Sequence, residues 1–131
     1  MPSATGAFEV TSWDEDQYED RGNGAKLSRA SVTQRFEGDI TGDGAAEWLM
    51  AYRSDGTARF VGLHRVEGAL GDRRGSFVLE TSGSFDGQTA TWQAEVIPGS
   101  ATDGLQGLSG QGSFSAPMGN RATFELEYDF A

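Results

Sequence analysis

The sequence has 131 residues, of which 20 are acidic and 10 basic, so the chain carries a net charge of -10 at neutral pH. That charge excludes nucleic acid and anionic membrane surfaces as expected partners, because both would repel the protein. Cysteine is absent, which excludes disulfides, thiolate metal sites and a cysteine nucleophile. The first ten residues do not resemble a signal peptide, and we expect one cytoplasmic domain over residues 1–131.

Apolar and polar residues alternate along most of the chain, whereas the 19 glycines disfavour long helices. The first predicted strand covers residues 6–13, with Phe8 and Val10 on one face and Trp13 on the other. The acidic segment 14–24 is predicted to be an irregular loop. Further strands are predicted at 27–37, 46–53, 57–69, 74–85, 89–97, 108–116 and 122–130.

The segments between these strands have the composition of turns. Asp55-Gly56 and Asp86-Gly87 are typical of tight hairpins. Residues 39–44 resemble the start of a calcium loop, but Met50 stands where that loop needs a glutamate, so we predict a hairpin turn. The glycine-rich residues 98–114 lack the lysine and the following helix of a phosphate-binding loop. We predict a sharp bend there, with its leucines plugging the barrel.

Eight consecutive short strands joined by tight turns predict an all-β fold, a closed eight-stranded antiparallel barrel with little or no helix. A β-sandwich is the alternative architecture. A barrel of eight strands has room inside for packed side chains or for one small ligand.

Several segments resemble the bacterial family called domain of unknown function 3224. The likeness extends over residues 5–130 and rests on LSRASVTQRFEGDITGDG, AEWLMAYRSDGTARFVGLHRVEGALGDRRGSFVLE, SGSFDG and VIPGSATDGLQGLSGQGSF. That family is related in fold to plant allene oxide cyclases, which are calycin-like barrels of eight antiparallel strands. Those enzymes bind a fatty-acid epoxide in an apolar cavity and direct its ring closure without a cofactor. The resemblance implies the same fold and, by analogy, cofactor-free chemistry. It departs at His64, where the family usually has glutamate.

Large apolar side chains recur in one phase of the predicted strands and are candidates for the wall of a ligand pocket. Core packing is the alternative explanation for all of them. The candidate ligand-binding residues are Trp48, Met50, Phe60, Trp92, Phe124 and Tyr128.

Three polar residues are candidates for catalysis. His64, the only histidine, lies in phase with Phe60 and belongs to the residue type that titrates near neutral pH. Tyr52 would supply a hydroxyl to the same cavity. Glu47 lies within an apolar strand and, pointing inward, would have a raised pKa suited to proton transfer. The alternatives are a structural or surface histidine and a solvent-facing glutamate. A lone histidine cannot build a zinc site, so we expect neither a metal nor a cofactor.

These features lead to three functional hypotheses. The first is a cofactor-free cyclase, isomerase or lyase that folds a largely apolar substrate into a reactive conformer and assists it through His64, Tyr52 or Glu47. The second is a non-catalytic binder or carrier of an apolar small molecule. The third is an interaction module whose barrel is filled with side chains. Apolar residues on both faces of strands 46–53 and 57–69 also predict a homodimer or higher oligomer that covers part of the outer surface.

Overall fold

Inward and outward side chains alternate through eight strands in the computed structural model, which describes residues 2–117 and 119–131. The strands are β1 (Ser3–Gly22), β2 (Ala25–Gly38), β3 (Ile40–Tyr52), β4 (Ala58–Leu70), β5 (Arg73–Phe85), β6 (Thr89–Val96), β7 (Leu108–Pro117) and β8 (Arg121–Phe130). One 3-10 turn, Asp103–Leu105, lies between β6 and β7. Over the described part of the chain, no helix has the length and hydropathy needed to cross a bilayer.

Each strand pairs in antiparallel register with the next one along the chain, and β1 also pairs with β8. Ser3–Glu9 of β1 meets Arg121–Glu127 of β8, and this pairing closes the sheet. The predicted all-β fold, a closed eight-stranded antiparallel barrel, is therefore confirmed.

The first hairpin extends much further than expected, and the irregular loop predicted at residues 14–24 is wrong. β1 continues to Gly22 and turns into β2 at Asn23 and Gly24, whose φ angles are 54° and 86°. Positive φ angles at both positions suit a two-residue hairpin turn. The acidic composition favours a loop locally, but β2 supplies a partner backbone as far as the Gly22–Ala25 pair.

A β-bulge near Thr11 reverses the inward phase of β1. The pairing with β2 shifts between Val10 and Ser12, so one residue of β1 has no partner there. Thr33 of β2 lies beside the bulge, and its Oγ1 is 2.7 Å from Thr11 Oγ1 and 2.5 Å from Ser12 Oγ. Val10 faces the interior before the bulge, and Trp13 faces it afterwards, opposite the buried Val32.

β3 begins at Ile40, earlier than predicted, so the turn expected over residues 39–44 is mostly strand. Gly42 of β3 lies directly opposite Gly68 of β4. A Cβ atom added to either glycine would come within 2.8 Å of the other's Cα. The two strands can approach this closely because neither residue carries a side chain.

Apolar side chains close one end of the barrel, which we call the closed end. The glycine-rich segment bends across it, held by a 2.9 Å hydrogen bond from Thr102 N to Ser76 O. Leu105 and Leu108 are buried there, as the sequence predicts. Above them, a middle layer of rings packs at centroid distances of 5.3 to 6.0 Å and consists of Phe8, Phe36, His64, Phe114 and Phe124.

Candidate functional site

The end of the barrel opposite the closed end contains a pocket of about 350 Å³, at the ends of β3, β5 and β7. Seven aromatic side chains line it and define what we call the aromatic pocket: Phe8, Trp13, Trp48, Tyr52, Phe60, Phe85 and Trp92. The remaining wall includes small and apolar residues such as Val10, Met50, Ala90, Ala116 and Ala122. This size and this lining are typical of small-molecule sites.

Two glycines position two of the indole rings. Trp48 lies opposite Gly62, and Trp92 lies opposite Gly83. A Cβ atom at Gly62 would come to 2.5 Å from Trp48 Cδ1, and one at Gly83 would collide with Trp92 Cβ. Trp48 is also held by a 3.1 Å hydrogen bond from its Nε1 to Thr81 Oγ1. The two indoles meet at a centroid distance of 5.5 Å and pack on the rings of His64 and Phe114, so together they form the part of the pocket wall next to the middle layer.

A carboxylate is held at the open rim of the pocket. Glu15 Oε2 accepts hydrogen bonds from Ser28 Oγ at 2.5 Å and from Tyr52 Oη at 2.8 Å. Its other oxygen, Oε1, accepts one from Trp13 Nε1 at 3.0 Å. Three neutral donors on three segments of the barrel therefore fix one acidic side chain beside the aromatic wall.

These contacts determine the protonation of the rim. Burial raises the pKa of Glu15, but the hydrogen bonds it accepts and the nearby charge of Lys26 outweigh burial, so this pKa lies below the usual 4.5. Burial, the hydrogen bond to Glu15 and the charge of Glu15 raise the pKa of Tyr52 above its usual range. At neutral pH the rim thus holds a charged carboxylate and a protonated phenol that donates to it.

Five of the residues predicted for the site line the aromatic pocket, and they are Trp48, Met50, Tyr52, Phe60 and Trp92. Two others lie elsewhere. Phe124 belongs to the middle layer, 5.5 Å from the ring of Phe114. Tyr128 lies towards the closed end, where its backbone N–H donates to Pro2 O at 3.0 Å and its ring packs on Phe130.

His64 lies one layer below the pocket. Its side chain is fully buried, and its Nε2 is 3.1 Å from Gln34 Oε1. Phe8 and Trp48 line the pocket and also pack against the imidazole, at centroid distances of 5.8 and 6.1 Å. Burial lowers the pKa of His64 to about 4, so the ring is neutral at pH 7. In this position His64 does not touch the aromatic pocket.

Glu47 lies on the outer face of β3, away from the pocket. Its Oε1 accepts a 2.6 Å hydrogen bond from Arg29 Nη2, and both side chains are exposed. The hydrogen bonds from Ser31 and Arg29 lower the pKa of Glu47. The inward orientation and raised pKa considered for Glu47 are therefore wrong.

Sequence analysis missed Phe8 and Phe85 of the aromatic wall and, at the rim, Trp13, Glu15 and Ser28. Alternation within residues 6–13 places Trp13 on the outer face, and the acidic composition places Glu15 in a loop. The bulge near Thr11 brings both to the inner face, opposite Val32 and Ala30. The one signal in the sequence is Trp13 itself, because a tryptophan next to a run of acidic residues needs an apolar contact.

No set of three or more histidine, cysteine, aspartate or glutamate side chains within residues 2–117 and 119–131 is arranged to hold a metal ion. At the rim, Glu15 is the one carboxylate among hydroxyl and indole donors. The arrangement is suited to hydrogen bonding and to electrostatic attraction of a ligand.

Comparison with known proteins supports the fold at the level of family. The family described as "Protein of unknown function (DUF3224)" matches residues 4–128. The crystal structure of a protein with unknown function from the DUF3224 family of Shewanella oneidensis MR-1 superimposes with a TM-score of 0.78 and 28% identity. The match covers 100% of this chain and 98% of that one. No curated protein matches.

Proposed function

The chain belongs to the DUF3224 family, and we propose that it binds a small, largely apolar molecule in the aromatic pocket. The contrast between the two ends of the barrel carries this proposal. The closed end is filled by buried leucines, whereas the other end leaves about 350 Å³ between aromatic side chains. A ligand that buries apolar surface there gains about 25 cal/mol per Å².

A pocket-filling variant tests the proposal. Ala90 lines the pocket, so Ala90→Phe should place a phenyl ring inside it, while Thr91→Phe adds the same ring to the exposed outer face of the same strand. We expect A90F to weaken binding of the neutral dye N-phenyl-1-naphthylamine at least tenfold and T91F to change it less than twofold. Dye fluorescence in titrations measures both affinities.

Thermal unfolding of both variants serves as the control, because a larger side chain in a packed wall costs about 1–3 kcal/mol. Equal dye affinity in folded A90F and in the wild type would contradict the proposal. So would a wild-type protein that does not bind the dye.

The natural ligand can be identified directly. Native mass spectrometry after mild purification should detect a retained small molecule on the wild type and not on A90F. Detection of the same adduct on both proteins would place the molecule outside the aromatic pocket.

A cofactor-free cyclase, isomerase or lyase is the second candidate, and the Tyr52 hydroxyl on the pocket wall favours it. The pocket would fold a flexible substrate into a reactive conformer. Tyr52 donates its one hydroxyl proton to Glu15 in the free protein, and during catalysis it would turn that hydrogen bond to a substrate oxygen on which negative charge develops.

Turnover of the retained molecule separates catalysis from carriage. Tyr52→Phe should lower the rate about 100-fold while leaving binding nearly intact. His64→Gln should change the rate much less, because Phe8 and Trp48 lie between that side chain and the pocket. Binding without any product from the wild type would leave the protein a carrier.

A further inference from the structure

The charges and ring faces around the aromatic pocket favour one class of ligand. We infer that the pocket selects organic cations, molecules with an alkylated ammonium group on an apolar body, over neutral and anionic molecules of the same shape. This inference rests on the proposed function, because it names the ligand class for the same pocket.

The aromatic wall is the first observation. All three tryptophans of the chain line this pocket together with Tyr52 and three phenylalanines. The ring face of an aromatic side chain carries partial negative charge, and tryptophan attracts cations most strongly. Several rings around one cavity provide the kind of environment in which alkylated ammonium groups bind.

The charge of Glu15 is the second observation. Its hydrogen-bond donors, Ser28, Tyr52 and Trp13, are all neutral. Among the described residues, no lysine or arginine lies within ion-pair distance of its carboxylate. The donors fix the carboxylate in place without neutralising it. The charge of Lys26 acts on it from beyond ion-pair distance and offsets part of the attraction that the rim exerts on a positive ligand.

The side chain of Lys26 already places an ammonium group against one of the aromatic rings at the rim. The ammonium of Lys26 lies 4.8 Å from the centroid of the Tyr52 ring. Arg121 also reaches the pocket wall, but its guanidinium pairs with Glu37 at 2.6 Å and with Glu9 at 3.7 Å. The wall therefore offers an anionic ligand no unpaired arginine, while Lys26 shows that the Tyr52 ring accepts an ammonium group.

The part of β1 beyond the bulge adds negative charge near the rim. Besides Glu15, residues 14–22 carry four acidic side chains against one arginine, next to the rim. In a protein with a net charge of -10, such a cluster raises the local concentration of cations and speeds their association.

Three probes of matched shape test the inference: phenyltrimethylammonium, its neutral carbon isostere tert-butylbenzene, and the anion benzenesulfonate. Calorimetry and quenching of tryptophan fluorescence measure their affinities, since all three tryptophans line the pocket. We expect the cation to bind about tenfold tighter than the isostere, and the anion to bind weakest.

Two variants should change the cation preference in opposite directions. Glu15→Gln keeps the shape and removes the charge, so the affinity ratio of cation to isostere should fall about fivefold. Lys26→Gln removes a competing cation, so the ratio should rise. Glu95→Gln is the matched control, because it makes the same substitution on the exposed outer face of β6, outside the acidic cluster and the pocket lining, and the ratio should change less than twofold.

The outcomes separate this inference from the function on which it rests. Equal binding of the cation and its isostere, or an unchanged ratio in E15Q, overturns the cation preference and leaves an apolar binding pocket. Failure of all three probes to bind overturns both. Tighter binding of benzenesulfonate than of phenyltrimethylammonium would show a preference for anions and would also overturn the inference.

Discussion

At the scale of single residues, the burial of His64 beside Gln34 affects how the stability of the protein depends on pH. His64 is fully enclosed and contacts Gln34, but no charged group among residues 2–117 and 119–131 faces it to favour its protonation. The residue that the sequence suggests for proton transfer is therefore part of the core. Its environment keeps it neutral, and its contribution is to stability.

The pH dependence of stability tests this role. Unfolded His64 takes up a proton as the pH falls below about 6.5, whereas folded His64 stays neutral until about pH 4. The unfolded state binds more protons in this window, so the folded state should lose up to about 3 kcal/mol between pH 6.5 and pH 4. Urea unfolding at a series of pH values measures the loss.

His64→Gln provides the comparison, since carboxylates also titrate near pH 4. The variant should show a smaller slope of unfolding free energy against pH, by about 1 kcal/mol per pH unit in the steepest part. Parallel curves for the two proteins would contradict a neutral, buried His64.

Residue type and depth in the barrel explain which site residues the sequence could predict. Trp92 follows from strand phase, whereas Trp48, Met50 and Phe60 lie on strands with apolar residues on both faces, so the sequence leaves their inward phase open. Phe124 faces inward in the predicted phase, but it lies in the middle layer. Alternation reports which side of a sheet a residue faces and does not report its height along the barrel axis.

At the scale of elements, the strands were predictable and their irregularities were not. Period-two alternation predicts most of each strand except β1, of which it predicts residues 6–13 alone. The bulge near Thr11 is a single unpaired residue, and it reverses the inward phase of β1 as far as Gln17, where the pairing shifts again. The long hairpin of β1 and β2 likewise depends on pairing between strands, which local composition does not contain.

The glycines beside the tryptophans yield a prediction at this scale. In Gly62→Ala, the new Cβ would collide with the Glu47 carbonyl and with Trp48, so β4 or the indole must move. We expect a loss of about 2 kcal/mol in unfolding free energy and weaker dye binding, because a displaced Trp48 enters the pocket.

Glu67→Ala is the control, since Glu67 also lies on β4, is exposed on the outer face and stands outside the apolar patch of that face. Its effect on stability should stay below about 1 kcal/mol, with dye binding unchanged. Urea unfolding and the dye titration measure both variants. Equal stability of G62A and the wild type would mean that the close approach of β3 and β4 at Trp48 is not required.

At the scale of the whole molecule, the outer face of β3 and β4 is unusually apolar. Leu49, Val61 and Leu63 are 50%, 54% and 51% exposed and lie close together across the two strands. Charges of both signs surround them, including Arg59 and the Arg29–Glu47 pair. A patch with both charges at its rim can match a second copy of itself through a two-fold axis, and we propose that a homodimer forms there.

Sedimentation velocity tests this dimer. The wild type should sediment as a dimer at micromolar concentration, and Val61→Lys should sediment as a monomer because two lysines would face each other's apolar patch. Thr91→Lys, on the outer face of β6, is the control and should remain dimeric. A monomeric wild type would contradict the proposal.

The pairing of β1 with β8 has a consequence for how the molecule folds. Seven of the eight strand pairings join strands that are adjacent in sequence and can form as hairpins. The eighth pairs Ser3–Glu9 with Arg121–Glu127, and its paired residues are more than 110 positions apart. Ring closure at this point carries the largest loop entropy in the chain. The barrel should therefore assemble as an open ribbon that curls and docks its two outermost strands last, and the entrance to its interior takes shape in that same final step.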